Sequence, residues 1–410
     1  MLRCTMKSMF FKQKKTVYLD YASLAPYDEL LFRSSVLPRL CGNPSNFHAS
    51  AVVAQRYLEN ARTLVAKEIH ALPDEILFTS GGTEGDTMAI CGVTEAYKGT
   101  ELPHIIVSAV EHSAVLETVK YLESKKRISV SYIPVDENGV VDITEVRALL
   151  QTNTIIVSCM LVNNELGTIE PIREIAKIIR HWKKVNSIQS QYPLFHVDAC
   201  QALNYLSIDV RALHVDLLTL NSSKVYAGAG VGALYVKRGT PIEPLLHGGD
   251  QERGLRPGTE NIRGIHKFAL AIVECSRVRD KEMQKYEALR TILINGIESV
   301  SKKHNSEILI LSDTNLCVPA IVNVSFSDFE SELLVIELDA QGIEVSSKSA
   351  CKSDSGNISH VLTAIGKNIS PEIGSIRFSF GRWTKKRDIK KTITALDTIF
   401  TKYKKSLFSK

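Results

Sequence analysis

Pro193-Leu194-Phe195-His196-Val197-Asp198 and Val215-Asp216-Leu217-Leu218-Thr219-Leu220-Asn221-Ser222-Ser223-Lys224 are the two runs that decide the fold. Each is a short apolar stretch closing on polar or charged residues, the pattern of a buried strand in a parallel sheet. Open parallel sheets collect ligands at the carboxyl ends of their strands. Asp198 and Lys224, 26 positions apart, are thereby placed to bring an acid and an amine into one pocket. Pyridoxal phosphate needs that pair: a lysine to carry it as a Schiff base, and an acid to keep its ring nitrogen protonated. Taken singly, each residue reads better as a surface lysine or a strand-end aspartate.

Outward from these runs the chain alternates strand and helix. Ile76-Leu77-Phe78-Thr79 leads through Ser80-Gly81-Gly82-Thr83-Glu84 into a helical pattern carrying Met88, Ile90 and Cys91. A strand, a glycine pair and a helix start make an anion cradle, because free amides and the helix dipole point the same way; many ordinary turns share this pattern. Further strands are read at Val17–Ala22, His104–Ser108, Val130–Pro134 and Thr154–Ser158. Such alternation predicts a parallel sheet covered on both faces. Gly228-Ala229-Gly230-Val231-Gly232 mimics a dinucleotide fingerprint, but it precedes a strand and opens no helix, so it reads as a tight connection. Beyond Gly248 come a long helix from about 261 to 299, a strand at Ala320–Val324, a helix at Glu332–Gln341 and a strand at Ile343–Val345. A last amphipathic helix carries Ile389, Ile393, Leu396, Phe400, Tyr403 and Leu407. The predicted division is a large domain over 26–262 and a smaller α+β domain built from 1–25 and 263–410.

Length and composition agree with a globular α/β protein: 410 residues, 44% hydrophobic and 23% charged. No apolar run approaches the roughly 18 residues of a membrane span. Of the net charge of +5, the segment Thr384–Lys410 carries +7, leaving the other 383 residues near −2. The body is therefore not a nucleic-acid binder by charge, and the lysines of the last helix read as a solvated face. Eight dispersed cysteines without a CxxC fit a reducing compartment, hence the cytoplasm. The basic first fifteen residues lack an apolar core for a secretory signal and read as a basic arm. No His/Cys cluster has metal-ligand spacing.

One thiol stands apart. In Ser346-Ser347-Lys348-Ser349-Ala350-Cys351-Lys352-Ser353, Cys351 lacks apolar neighbours and is flanked by Lys348 and Lys352. Nearby cations favour the thiolate, so Cys351 is the best nucleophile candidate of the eight.

With these residues in place the sequence resembles the cysteine desulfurases, a branch of the class V aminotransferases with the fold type I of pyridoxal-phosphate enzymes. Nine words carry the resemblance in order. They are Tyr-Leu-Asp-Tyr-Ala at 18–22, Gly-Asn-Pro-Ser at 42–45, Phe-Thr-Ser-Gly-Gly-Thr-Glu at 78–84 and Glu-His-Ser-Ala-Val-Leu at 111–116. Val-Asn-Asn-Glu-Leu-Gly-Thr at 162–168, His-Val-Asp-Ala at 196–199 and Glu-Arg-Gly-Leu-Arg-Pro-Gly-Thr at 252–259 follow, then Ser-Ala-Cys at 349–351 and Ser-Ile-Arg-Phe-Ser at 375–379. The loop reaching Ser359-His360-Val361-Leu362 is similar to the mobile-loop branch serving iron–sulfur and tRNA-thiolation pathways.

The resemblance implies a large domain with a mainly parallel, seven-stranded sheet, plus the smaller domain. It implies that Lys224 holds the cofactor, Asp198 pairs with its ring nitrogen, and His112 stacks on the ring and moves protons. Gln201 and Asn164 would meet the ring hydroxyl side. Gly82, Thr83, Asn221, Ser222 and Ser223 would line the phosphate, with Thr259 arriving from the second subunit of a homodimer. Arg377 would clamp the carboxylate of free L-cysteine, assisted by Asn43 and Asn164. Cys351 would take the substrate sulfur as a persulfide and pass it to an acceptor protein. Where the family reads Ser-Gly-His-Lys this chain has Asn221-Ser222-Ser223-Lys224, and a family glycine is Lys348. The alternatives are a selenocysteine lyase or class V aminotransferase, or a non-catalytic sulfur-relay homologue.

Overall fold

In a computed structural model, residues 16–33, 42–188, 190–313, 315–347, 359–367 and 375–407 are described. Cys351, with Lys348 and Lys352, lies outside these residues, as does the basic arm over 1–15.

The chain enters through β1 (Val17–Tyr18) and then builds the central sheet. Its strands are β2 (Ile76–Thr79), β3 (His104–Ser108), β4 (Ser129–Ile133), β5 (Thr154–Ser158), β6 (Leu194–Asp198), β7 (Leu217–Asn221) and β8 (Gly232–Val236). They lie in the order β2-β8-β7-β6-β5-β3-β4. From β7 to β4 every pairing is parallel, and only β8 runs against its neighbours. The expected seven-stranded, mainly parallel sheet is present. Its middle strands are buried along their whole length, which is why they read as unbroken apolar runs.

A second, antiparallel sheet follows the 43-residue helix Ile262–His304. It comprises β9 (Ile308–Ile310), β10 (Ile321–Phe326), β12 (Ser346–Ser347) and β13 (Ile376–Ser379), in the order β12-β13-β10-β9. β11 (Ile343–Glu344) pairs instead with β1. The strand expected over Val17–Ala22 is shorter than its pattern: beyond Tyr18 the chain keeps one bridge, Asp20 to Ser379. There Asp20 faces Arg377, and that ion pair takes the place of a ladder.

One hydrophobic core runs through both sheets. Phe195, Val197 and Leu218 of the large sheet, Phe268 and Leu293 of the long helix, and Ile321 and Phe378 of the small sheet belong to the same cluster. The last helix, Lys386–Leu407, packs Ile389, Leu396 and Phe400 into it, as its spacing predicts. The glycine-rich stretch before β8 is a connection: Gly228 and Gly230 have φ of 81° and 93°, a left-handed region that favours glycine.

A buried clamp ties the outlying 250–259 segment to this frame. Glu252 receives both arms of the Arg62 guanidinium, at 2.7 and 2.8 Å, and the Phe78 amide of β2 at 2.9 Å. Removing one member of a buried pair strands the other charge. Glu252→Ala is expected to cost about 3–5 kcal/mol of unfolding free energy, read from urea denaturation.

Candidate active site

The ends of β2, β3, β5, β6 and β7 all open on one side of the central sheet, and a cavity of about 170 Å³ lies there. It is lined by Gly82, Thr83, Asp86, His112, Met160, Val162, Asn164, Asp198, Cys200, Gln201, Asn221 and Lys224. Eight of the residues singled out from the sequence therefore share one chamber, contributed by five strand ends spread over 143 positions of chain.

Register puts the acid and the amine together. β6 and β7 pair in parallel with Asp198 opposite Thr219. Asp198 ends its strand with a carboxylate oxygen accepting the Cys200 amide at 2.8 Å. After Asn221 the chain turns through a short 3-10 helix, Ser222–Lys224, capped by the Asn221 side chain accepting the Ser223 amide at 3.1 Å. This turn aims Lys224 into the cavity, where its Nζ donates to the carbonyls of Ala22 and Ser23 at 2.8 and 2.7 Å. Burial, reinforced by the charge of Arg377, pushes the Lys224 amine below its ordinary value, against the opposing pull of Asp198 and Asp20. A lowered proton affinity favours the neutral amine, the form that bonds to an aldehyde.

The cradle is the start of the helix Gly82–Ala96. Gly81 gives it no side-chain cap, so its first amides remain for a ligand. Space is tight around it. A Cβ on Gly82 would lie 2.6 Å from Cys200 Sγ, and one on Gly232 of β8 would lie 2.8 Å from Gly81 Cα. Glu84 braces the turn from outside, accepting the Ser80 amide at 2.6 Å and Arg256 Nε at 2.9 Å.

His112 caps the helix Ser113–Ser124, its Nδ1 accepting the Ala114 amide at 3.1 Å. An accepting Nδ1 leaves the neutral ring's proton on Nε2. Gln201 is held by its Nε2 donating to the Ala22 carbonyl at 3.0 Å.

Other residues of the expected site lie elsewhere. Ser222 is buried and its hydroxyl donates to the Gly228 carbonyl at 2.6 Å, so its side chain braces the turn and does not line the cavity. Ser223 is half-buried just outside the lining. Asn43 closes its own turn, accepting the Ser45 amide. Thr259 is exposed and does not line the cavity. Arg377 is buried beside the cavity, with its fork engaged by Asp20 at 2.8 Å, Ser23 Oγ at 2.5 Å and the Asn164 carbonyl at 2.8 Å. Its Nε is buried without a partner.

Sequence reasoning missed the floor of the chamber. Asp86 sits one helical turn beyond Gly82, a spacing that puts both on one face. It is buried, and its Oδ1 has no hydrogen-bond partner. Burial, then the charge of Asp198, pushes its carboxyl well above the ordinary range. His196 lies 3.6 Å from it, held between Ser158 Oγ and Thr219 Oγ1 at 2.9 and 3.0 Å, and burial lowers its ring to about 4. Beside His112, Glu111 is pushed up to about 8 by burial and then by Asp198. Burial and the charge of Asp198 thus both favour the neutral forms of Asp86 and Glu111.

These features fit pyridoxal phosphate: an uncapped helix start for its phosphate, a strand-end carboxylate for its ring nitrogen, and an amine of depressed basicity. The family description aminotransferase class-V matches residues 17–392. Cysteine desulfurase IscS of Dictyoglomus turgidum is 41% identical over 391 residues, covering 95% of each chain. Its counterpart of that name in Neisseria meningitidis serogroup C is 39% identical, covering 92% of this chain and 90% of the relative. Among solved structures, a NifS-like protein superposes with a TM-score of 0.85 at 32% identity, covering 94% of this chain and 99% of the other. SspA in complex with cysteine gives a TM-score of 0.72 at 30% identity, covering 89% and 99%.

Two outcomes follow from this geometry. Gly82→Ala forces its new methyl onto Cys200 Sγ, an overpacking worth about 1–3 kcal/mol. Cofactor affinity, followed by visible absorbance, is expected to fall roughly 5- to 150-fold and to recover in Gly82→Ala/Cys200→Ala. Glu111 binds its proton more tightly in the fold than its ordinary value of 4.5. The unfolded chain therefore ionises first as pH rises, and stability is lost between about pH 4.5 and about pH 8. Glu111→Gln should flatten that decline in urea midpoints measured across the interval.

Proposed function

The chain belongs to the class V aminotransferase family and is a pyridoxal-phosphate-dependent cysteine desulfurase, and from that premise we propose how its residues divide the work. The observation that carries the assignment is the meeting of Asp198 and Lys224, from adjacent parallel strand ends, in one cavity with an uncapped helix start.

Bound there, pyridoxal phosphate supplies an electron sink for the carbon bearing the substrate amine. Lys224 would hold it through Nζ, and Asp198 would keep its ring nitrogen protonated. Gly82, Thr83, Asn221 and Ser223 would receive the phosphate, Ser222 contributing through the turn that it braces. Gln201 and Asn164 would face the ring hydroxyl, and His112 would move protons through Nε2. Arg377 is the carboxylate donor for L-cysteine: its unpartnered Nε and the neighbouring Asn164 support this, with Asp20 orienting the guanidinium and Asn43 in reserve at the 42–46 turn.

Cys351 is the sulfur acceptor. Its thiolate forms an S–S bond to the substrate sulfur as the substrate C–S bond breaks. The C–S electron pair leaves with the carbon, which gains a proton and departs as alanine. The persulfide then goes to an acceptor protein of iron–sulfur assembly or tRNA thiolation. We assign the working form as a homodimer, because Thr259 is exposed, does not line its own cavity and is available to that of a second copy. The domains are taken as 26–262 and 1–25 with 263–410. The cytoplasm is the assigned compartment; among the described residues no helix is long and apolar enough to cross a membrane.

Purified protein given L-cysteine and a reductant should yield alanine and sulfide in equal amounts, and Cys351→Ala should lose both. Alanine persisting in that variant would overturn Cys351 as the acceptor. His112→Ala is expected to lower turnover by roughly 10²- to 10⁴-fold, the usual worth of a general acid–base.

A further inference from the structure

Lys224 is gripped at its backbone as well as at its tip. Asn204 Nδ2 donates to the Lys224 carbonyl at 2.6 Å. A carbonyl only accepts, so the nitrogen of this amide faces Lys224 and its oxygen faces the other way. On that side the thiol of Cys275, in the long helix Ile262–His304, donates to Asn204 Oδ1 at 3.0 Å. Burial pushes the thiol up to about 12, so the sulfur keeps the hydrogen it donates. Arg382 Nη2 in turn donates to Cys275 Sγ at 3.8 Å, a weak sulfur acceptor. Arg382 is itself fixed by Glu282 and Asp28, each at 2.9 Å, and lies 4.3 Å from the centre of the Tyr226 ring. Arg382, Cys275 and Asn204 thus form a chain in which every donor points towards Lys224. Hydrogen bonds aligned head to tail polarise one another.

The last link belongs to a turn that is already part of the site. Asn204 follows Asp198 by six residues and Gln201 by three, both of which line the cavity, and it is buried. It therefore ties the turn carrying the acid to the turn carrying the amine. At the tip, Nζ rests on the carbonyls of Ala22 and Ser23. Bonding to an aldehyde exchanges those contacts, whereas the hold on the backbone stays. We propose that Asn204 is a positioning residue for Lys224: its amide, oriented by Cys275, fixes the lysine backbone so that Nζ meets the cofactor aldehyde, without holding the rest of the cofactor. The proposal rests on the reading of Lys224 as the lysine that bonds the cofactor. Alignment weighs heavily in such a reaction, where a misplacement of about 1 Å can cost roughly 100-fold.

The test compares two ligands on the full-length apoprotein. Pyridoxal phosphate carries the aldehyde that bonds to Lys224; pyridoxamine phosphate carries an amine in its place and cannot. Schiff-base formation is followed by visible absorbance after rapid mixing, and pyridoxamine phosphate affinity by calorimetry. Asn204→Ala is expected to slow Schiff-base formation roughly 10- to 100-fold and to keep the wild-type affinity for pyridoxamine phosphate. Cys275→Ala, which leaves Oδ1 unpaired, should slow it less, and Cys275→Ser, which restores a donor, should return the rate. This second pair serves if Asn204→Ala folds poorly, and equal rates in its two members would overturn the role of the thiol in orienting Asn204. A wild-type rate in Asn204→Ala overturns the proposal, as does equal loss of rate and pyridoxamine phosphate affinity, which marks a merely structural role. A Schiff-base band that still forms in Lys224→Ala overturns the underlying reading of the lysine, and the positioning role with it. Its absence there beside an unaffected Asn204→Ala overturns the positioning role alone.

Discussion

The parallel pairing of β6 with β7 is the constraint on which the site depends. A shift of one residue in that register would flip one strand's side chains to the other face of the sheet and separate Asp198 from Lys224. Register is held by burial on both faces: Leu217, Leu218 and Val197 have no exposed surface. The amine is then seated by Ala22 and Ser23, near the other end of the chain. Gln201 donates to the same Ala22 carbonyl, so the turn that follows the entry strand is part of the site's wall as well as of the fold.

Charge is distributed in the chamber with equal economy. Five acidic side chains, Asp86, Glu111, Glu165, Glu170 and Asp198, lie buried in or near it. A buried carboxylate without donors is unfavourable, and a second one close by makes it worse. Burial accordingly pushes Asp86, Glu111 and Glu170 upward, Asp198 adding its charge for the first two. His196, kept neutral by burial, completes a floor that adds little net charge.

Much of this was legible before any coordinates. The strand ends, the glycine pair and the helix start were readable because each rests on local periodicity and turn chemistry. Gly228–Gly232 was separable from a dinucleotide site by its order relative to the following strand. Legibility failed wherever a side chain's direction depends on a distant partner. Ser222 turns to Gly228 because the turn leaves that carbonyl unpaired by a backbone donor and close enough to take its hydroxyl. Arg377 is already engaged by Asp20, 357 residues away. Asp86 looked like one more polar residue on a helix until the sheet closed over it.

The sequence by itself determined the order of elements, the parallel character of the central sheet and the chemical types at its strand ends, since these follow from apolar periodicity and from Gly, Asn and Ser at turns. It also determined, through nine ordered words, the family and the cofactor. Only the tertiary structure decided which groups are desolvated together. Proton affinity depends on burial and on charges brought near by folding, so the depressed basicity of Lys224, the raised proton affinity of Asp86 and Glu111, and the grip of Asn204 on the Lys224 carbonyl are properties of the assembled chamber.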